Sequence, residues 1–176
     1  MFEVTVESGF SSGHYLRNYK GKCENPHGHN YKVRVTLAGA ELDHAGLLLD
    51  FKLLKQVLRP VVERIDHQML NDLEPFTVLN PSAENIAKYF YDQTNEQLAA
   101  TTEGYLRHGL ERITGGNPAK WLVIYCRPLC WMSWNAAKRA LMMGYRNVAW
   151  YPDGDEGWEA AGLPLQEAKP APADGD

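Results

Sequence analysis

His27-Gly28-His29 has the spacing of a metal-ligand pair. In extended chain, residues i and i+2 project to the same side, so both imidazoles can face one ion while Gly28 keeps bulk out of the way. His14, at the end of the preceding strand-like segment, can supply a third nitrogen. Three nitrogens without a fourth protein ligand leave one position for water or substrate, the arrangement of a catalytic rather than a structural zinc. A surface H-x-H pair that holds nothing is the competing reading. Cys23, four residues before His27, and the Asp66-His67 dipeptide weigh against it. A thiolate near a dication has a lowered pKa and can accept a proton. An aspartate bonded to one ring nitrogen of a histidine fixes its tautomer and leaves the other nitrogen to shuttle protons. For Asp66-His67 alone, a histidine interacting with a helix C-terminus is an equally physical explanation. Cys126 and Cys130 form a second cluster between an apolar strand-like run and a helical one. They are either a sulfur-chemistry site or two small buried side chains.

Composition narrows the setting. The chain has 176 residues, 44% hydrophobic and 23% charged, in the range of folded globular proteins. A net charge of −4 without a basic block argues against nucleic-acid or anionic-membrane partners. No apolar run approaches a membrane span, and MFEVTVESGF alternates like a strand instead of opening a signal peptide. The expected location is cytoplasmic. Three cysteines are too few for a disulfide scaffold.

The elements that must position these groups follow from periodicity. Residues 2–9 alternate as a strand, a polar loop runs through Asn30, and Tyr31, Val33, Val35 and Leu37 mark a second strand. Leu47–Asp50 reads as a short return strand after a turn at Asp43 and Gly46. Phe51, Leu54, Leu58, Val61, Val62 and Ile65 recur at helical spacing over residues 51–66, with Pro60 expected to kink the helix. Asn80-Pro81 predicts the start of a helix that runs to Leu98, with Asn80 as its cap. A separate helix is expected over 101–113, ended at Gly115-Gly116. A strand at Trp121–Tyr125, a Ser-capped helix over Ser133–Gly144 and a strand at Asn147–Tyr151 then form a βαβ pattern with parallel pairing. The Pro-rich tail 166–176 is expected to be disordered. His44 and His108 are assigned no role, and the tryptophans read as packing.

FSSGHYL, KCENPHGHNYKV, GLLLDFKLLK, IDHQMLND and NPSAEN, in that order over residues 2–95, resemble the 6-pyruvoyl/6-carboxytetrahydropterin synthase family. The similarity is greatest to the bacterial 6-carboxytetrahydropterin synthases of deazapurine (queuosine) biosynthesis. The resemblance implies an α+β class: a T-fold, with an antiparallel sheet and two helices on one face, assembled into homo-oligomeric rings with sites between subunits. It places zinc on His14, His27 and His29. It makes Cys23 the thiol base or nucleophile, and Asp66 and His67 the proton relay. The implied reaction is lyase chemistry on the small-molecule substrate 7,8-dihydroneopterin triphosphate. Family members usually close with a strand leading into a Glu-Thr pair whose glutamate anchors the pterin. Here Trp121–Tyr125 leads into Cys126-Arg127-Pro128, which implies weakened pterin binding.

From about residue 101 to 168 the sequence instead resembles the C-terminal half of a rhodanese-like domain of the cysteine-tryptophan kind, with YCRPLCW at its centre. That likeness implies an alternative sulfurtransferase or thiol-redox function through Cys126. The expected organisation is a pterin-synthase-like domain over 1–98, a partial rhodanese-like βαβ segment over 99–165 and the tail.

Overall fold

The computed structural model describes residues 1–43 and 45–164; His44 and the tail predicted to be disordered lie outside them. The described residues fall into two compact units, one running from Met1 to Thr102 and the other beginning at Glu103.

The first unit is built on two long strands, β1 (Phe2–His14) and β2 (His27–Gly39), paired antiparallel along their whole length. The inward alternation of Val6 and Phe10 on β1, facing Val35 and Tyr31 on β2, gives the pair one apolar face. The other face is polar: Glu7 lies between Lys32 and Arg34 at 3.0 and 2.9 Å. Helix α1 (Phe51–Glu63) starts where the Asp50 carboxylate accepts from the Lys52 amide at 2.8 Å. It buries Leu54, Val57, Leu58, Val61 and Val62 along one side. Helix α2 (Ala83–Thr114) contributes Ile86, Tyr89 and Phe90 to the same core, with Phe76 and Leu70 filling it from the connecting segment. Two helices thus cover one face of an antiparallel pair, the α+β arrangement expected for this part.

Several boundaries differ from the sequence reading. The strands extend through the stretch read as loop, so His14 ends β1 and His27 opens β2, leaving residues 15–26 as the connection. No return strand forms at Leu47–Asp50; the Asp43 carboxylate instead accepts from the Ala45 and Leu47 amides and shapes a turn leading into α1. Helix α1 ends three residues early and tolerates Pro60 in its last turn. Asn80 does not cap α2, because its side chain brackets the Arg17 backbone, accepting from the amide and donating to the carbonyl. Ser82 stands at the helix start instead, accepting from the Asn85 amide. The two helices predicted for 81–98 and 101–113 are one, and the division between units falls inside it.

In the second unit the end of α2 stops at Gly115 and Gly116, both at positive φ. Strands β3 (Leu122–Ile124) and β4 (Val148–Trp150) pair in parallel around helix α3 (Trp131–Met142), the expected βαβ connection. Cys130, not Ser133, holds the cap position of α3; Ser133 lies inside the helix and donates to the Cys130 carbonyl at 2.8 Å. A short helix α4 (Gly154–Ala160) follows. Leu110, Leu122, Ala140 and Tyr145 form this unit's core. Among the described residues, no helix is long and apolar enough to cross a membrane.

Candidate functional site

The hairpin register decides where the histidines go. His14 lies directly opposite His27, and Ser12 opposite His29, so the three imidazoles share the face that Phe10 and Tyr31 occupy one step deeper. Their ring centroids are 4.6 Å (His14–His27), 5.2 Å (His14–His29) and 4.8 Å (His27–His29) apart. One nitrogen from each lies within 4.8 Å of the others, and among the described residues this is the group of histidine, cysteine and acidic side chains able to hold a metal ion. Exposure rises from buried His14 through half-buried His27 to exposed His29, so the cluster opens on one side.

Backbone carbonyls orient two of the rings. Nδ1 of His14 donates to the Pro81 carbonyl at 2.7 Å, and Nδ1 of His27 donates to the Asn25 carbonyl at 2.7 Å. In both, Nε2 is left as the lone-pair nitrogen, the usual outer-shell arrangement of a metal-binding histidine. Nε2 of His14 is buried and has no hydrogen-bond partner, a position a cation would satisfy. Burial holds the His14 pKa below its ordinary value against the opposing Pro81 carbonyl, and neighbouring His27 and His29 lower it further. His14 is therefore neutral at neutral pH, the state a ligand needs. The donor set fits a borderline divalent cation such as zinc.

The Asp66-His67 dipeptide follows the turn after α1. Oδ2 of Asp66 lies 2.9 Å from Nδ1 of His67, and Oδ1 accepts from the Ser11 amide at 2.8 Å. The His67 amide donates to the Ser11 carbonyl, and the Gly13 amide donates to the Gln68 carbonyl, so residues 67–69 run alongside the end of β1. The Ser11 amide first, and His67 second, hold the Asp66 carboxyl below the usual range. The dyad is thus oriented with an ionised carboxylate and a free Nε2 on an exposed ring. An open cleft of about 510 Å³ lies beside it, lined by Ser11, Gly13, Gly28, His29, Asn30, His67 and Gln68 among others. Gly13 and Gly28 are cross-strand partners, and a Cβ at Gly13 would press on the Met69 side chain, which also lines the cleft. Of the three histidines, His29 is the one among the residues that line this cleft.

Cys23 lies in a single 3-10 turn, Lys22–Glu24, whose position is set by the Leu16 amide donating to the Cys23 carbonyl at 2.8 Å. It is half-buried and does not line the cleft. Cys126 follows β3 in the second unit, where burial, and then the neighbouring Cys130 thiol, push its pKa up. That is the opposite of what an activated sulfur-transfer nucleophile requires. Sequence reasoning missed the anchoring carbonyls of Asn25 and Pro81, the Ser11 amide that holds Asp66, and Tyr31. Tyr31 stacks on Phe10 at 4.7 Å and meets His29 edge-on at 5.6 Å. Its position two residues beyond His29 was a readable signal; backbone carbonyl partners leave none.

The family model for 6-pyruvoyl tetrahydropterin synthase matches residues 3–112. The chain belongs to the 6-pyruvoyl tetrahydropterin synthase family. The 6-carboxy-5,6,7,8-tetrahydropterin synthase of Bacillus subtilis is 36% identical over 102 residues, covering 55% of this chain and 68% of that protein. The Synechocystis protein of the same name is 33% identical over 101 residues, covering 54% of this chain and 77% of its own length. A solved structure of Caenorhabditis elegans 6-pyruvoyl tetrahydropterin synthase aligns with a TM-score of 0.49 and 34% identity, covering 55% of this chain and 79% of that one. The expectation of a pterin-metabolism enzyme of lyase type therefore holds at the level of the family. The match ends within α2, past residue 101, so it takes in the first part of the segment read as rhodanese-like, and that likeness is not shown.

Proposed function

We propose that this chain is a zinc-dependent 6-carboxytetrahydropterin synthase-like lyase acting on 7,8-dihydroneopterin triphosphate. The observation that carries this reading is the convergence of His14, His27 and His29 within 4.8 Å, with a buried, unpartnered Nε2 on His14. The Bacillus subtilis and Synechocystis relatives, both 6-carboxytetrahydropterin synthases by name, support the choice of reaction. The three histidines hold the zinc ion. When bound, zinc supplies Lewis acidity toward the side-chain hydroxyls of the substrate. The cleft that His29 and His67 both line is the place assigned to the substrate. Asp66 keeps the His67 proton on Nδ1, so Nε2 is the atom that takes up and returns a proton. Cys23 is assigned the second proton-transfer role, as the family resemblance implies.

The test joins metal content to turnover. Purified wild type should carry about one zinc per chain, lost on chelation, and His29→Ala should carry none while remaining folded. Cys23→Ala should keep the metal yet lose turnover of dihydroneopterin triphosphate, because the ligands survive while the proton acceptor is gone. A folded, zinc-supplemented wild type without metal, or full turnover by Cys23→Ala, contradicts the corresponding assignment.

A further inference from the structure

Two of the chain's three cysteines occupy one short loop of the second unit, between β3 and α3, and the pterin reading gives them nothing to do. The thiols of Cys126 and Cys130 are near enough to influence one another's ionisation. The loop between them is held at several points. The Cys130 amide closes a turn onto the Arg127 carbonyl at 3.2 Å, and the Leu129 amide donates to the Pro152 carbonyl at 2.7 Å. The Asp155 amide donates to the Cys126 carbonyl at 3.0 Å. Gly154, at φ +64°, receives the loop so closely that a Cβ there would lie 2.2 Å from the Cys126 carbonyl oxygen and 2.6 Å from the Arg127 carbonyl carbon. Only glycine permits that approach. The backbone that carries the two cysteines, four residues apart, is therefore held in place.

Their surroundings differ in a useful way. Cys126 is half-buried and accessible, while Cys130 is buried at the start of α3. Burial alone would push the Cys130 thiol up. The Ser133 amide, the Cys126 thiol, the Met132 amide and the Ser133 hydroxyl together outweigh it and hold Cys130 below its ordinary value. The pair thus has one sulfur that outside molecules can reach and a second, more acidic one behind it.

We propose that Cys126 and Cys130 are a reversible dithiol–disulfide pair that exchanges with small-molecule disulfides. In the first step Cys126, which is the accessible sulfur but not an activated one, loses its proton to solvent and attacks slowly, through its minor thiolate fraction, one sulfur of the small disulfide. A mixed disulfide forms, and the first thiolate leaves and is protonated. In the second step the Cys130 thiolate attacks the Cys126 sulfur, forming the internal S–S bond and releasing the second thiolate. The protein dithiol is oxidised by two electrons and the small disulfide is reduced to two thiols. The assignment concerns the second unit alone and stands whether or not the first is a pterin lyase.

Glutathione disulfide is the probe, followed by alkylation and peptide mapping of the full chain. Wild type should show a Cys126–Cys130 cross-link, with iodoacetamide labelling of both thiols reduced about tenfold or more and restored by dithiothreitol. Cys130→Ser should stop at a stable glutathione adduct on Cys126. Should Cys130→Ser fail to fold, phenylarsine oxide on wild type decides the same point, since one arsenic needs two adjacent thiols. Joint protection of Cys126 and Cys130 supports the pair. Independent alkylation in its presence, separate glutathione adducts without a cross-link, or pairing of either residue with Cys23 overturns it.

Discussion

Each oxygen of Asp66 has its own partner, the Ser11 amide on one side and the His67 ring on the other. Asp66→Asn keeps an oxygen for the amide but turns an NH2 group toward Nδ1 of His67, where two donors meet and the ring must change tautomer. The expected result is a fall in turnover of about 10²–10⁴-fold with zinc retained, measured by steady-state kinetics and metal analysis. Retained turnover would remove the dyad from the mechanism. The same residue sets a pH dependence of stability. Its folded pKa lies below the value of about 3.9 for a free aspartate. Its contribution is therefore complete above that value and is lost as pH falls through the folded pKa. Urea midpoints measured downward from pH 5 should drop less steeply for Asp66→Asn than for wild type. The His27 and His29 pair of the candidate metal site was legible from spacing, because strand alternation brings i and i+2 together. His14 was expected as the third member from its place at the end of the first strand, and the hairpin register sets it opposite His27.

Helix α2 offers a test at the scale of an element. Gly104 and Gly109 sit within its 32 residues, and a Cβ at either would meet nothing within 4 Å. Glycine in a helix interior costs about 1 kcal/mol relative to alanine. Gly104→Ala and Gly109→Ala should each raise the stability of the folded chain by roughly 0.5–1 kcal/mol, read as a shift in chemical denaturation midpoint. A loss of stability would mean that these positions need the missing side chain. The same glycines, with Thr101 and Thr102, explain why the sequence read as two helices. The threonines have modest helix propensity, and in the structure their hydroxyls donate back to the Gln97 and Leu98 carbonyls at 2.8 Å. The strands were underestimated for a related reason. Ser11, Ser12 and Gly13 lack the apolar alternation that signals a strand, and their conformation is imposed by pairing with residues 28–30 of β2. Conversely, Leu47–Asp50 has a strand-like composition, but the Asp43 turn takes the Leu47 amide at its start. Local composition carried the helix faces; partner-dependent structure was not in it.

At the scale of the whole molecule, the first unit's sheet consists, among the described residues, of two strands of thirteen residues each. Long strands with unpaired edges are rarely left open in soluble proteins, and two-stranded sheets gain stability from further partners. Ring assembly, which the family resemblance implies, supplies such partners and would bring a neighbouring copy to the open side of the histidine cluster. Light scattering of purified protein at micromolar concentration should therefore report a species larger than one chain, and turnover per chain should fall on dilution into the monomer. A monomer with concentration-independent turnover would place the complete site within one subunit.

The register of β1 against β2 also constrains how this gene can change length. Side chains alternate between faces, so one codon added between Phe10 and His14 would turn His14 away from His27. One added between His27 and His29 would set the two halves of the H-x-H spacing on opposite sides of the sheet. The connecting residues 15–26 obey no such parity. Asn18 and Lys20 there already adopt the left-handed backbone of a turn. Insertions and deletions compatible with a working metal site belong around these two positions, and the reading frame of the hairpin behaves like a ratchet that moves only in steps of two.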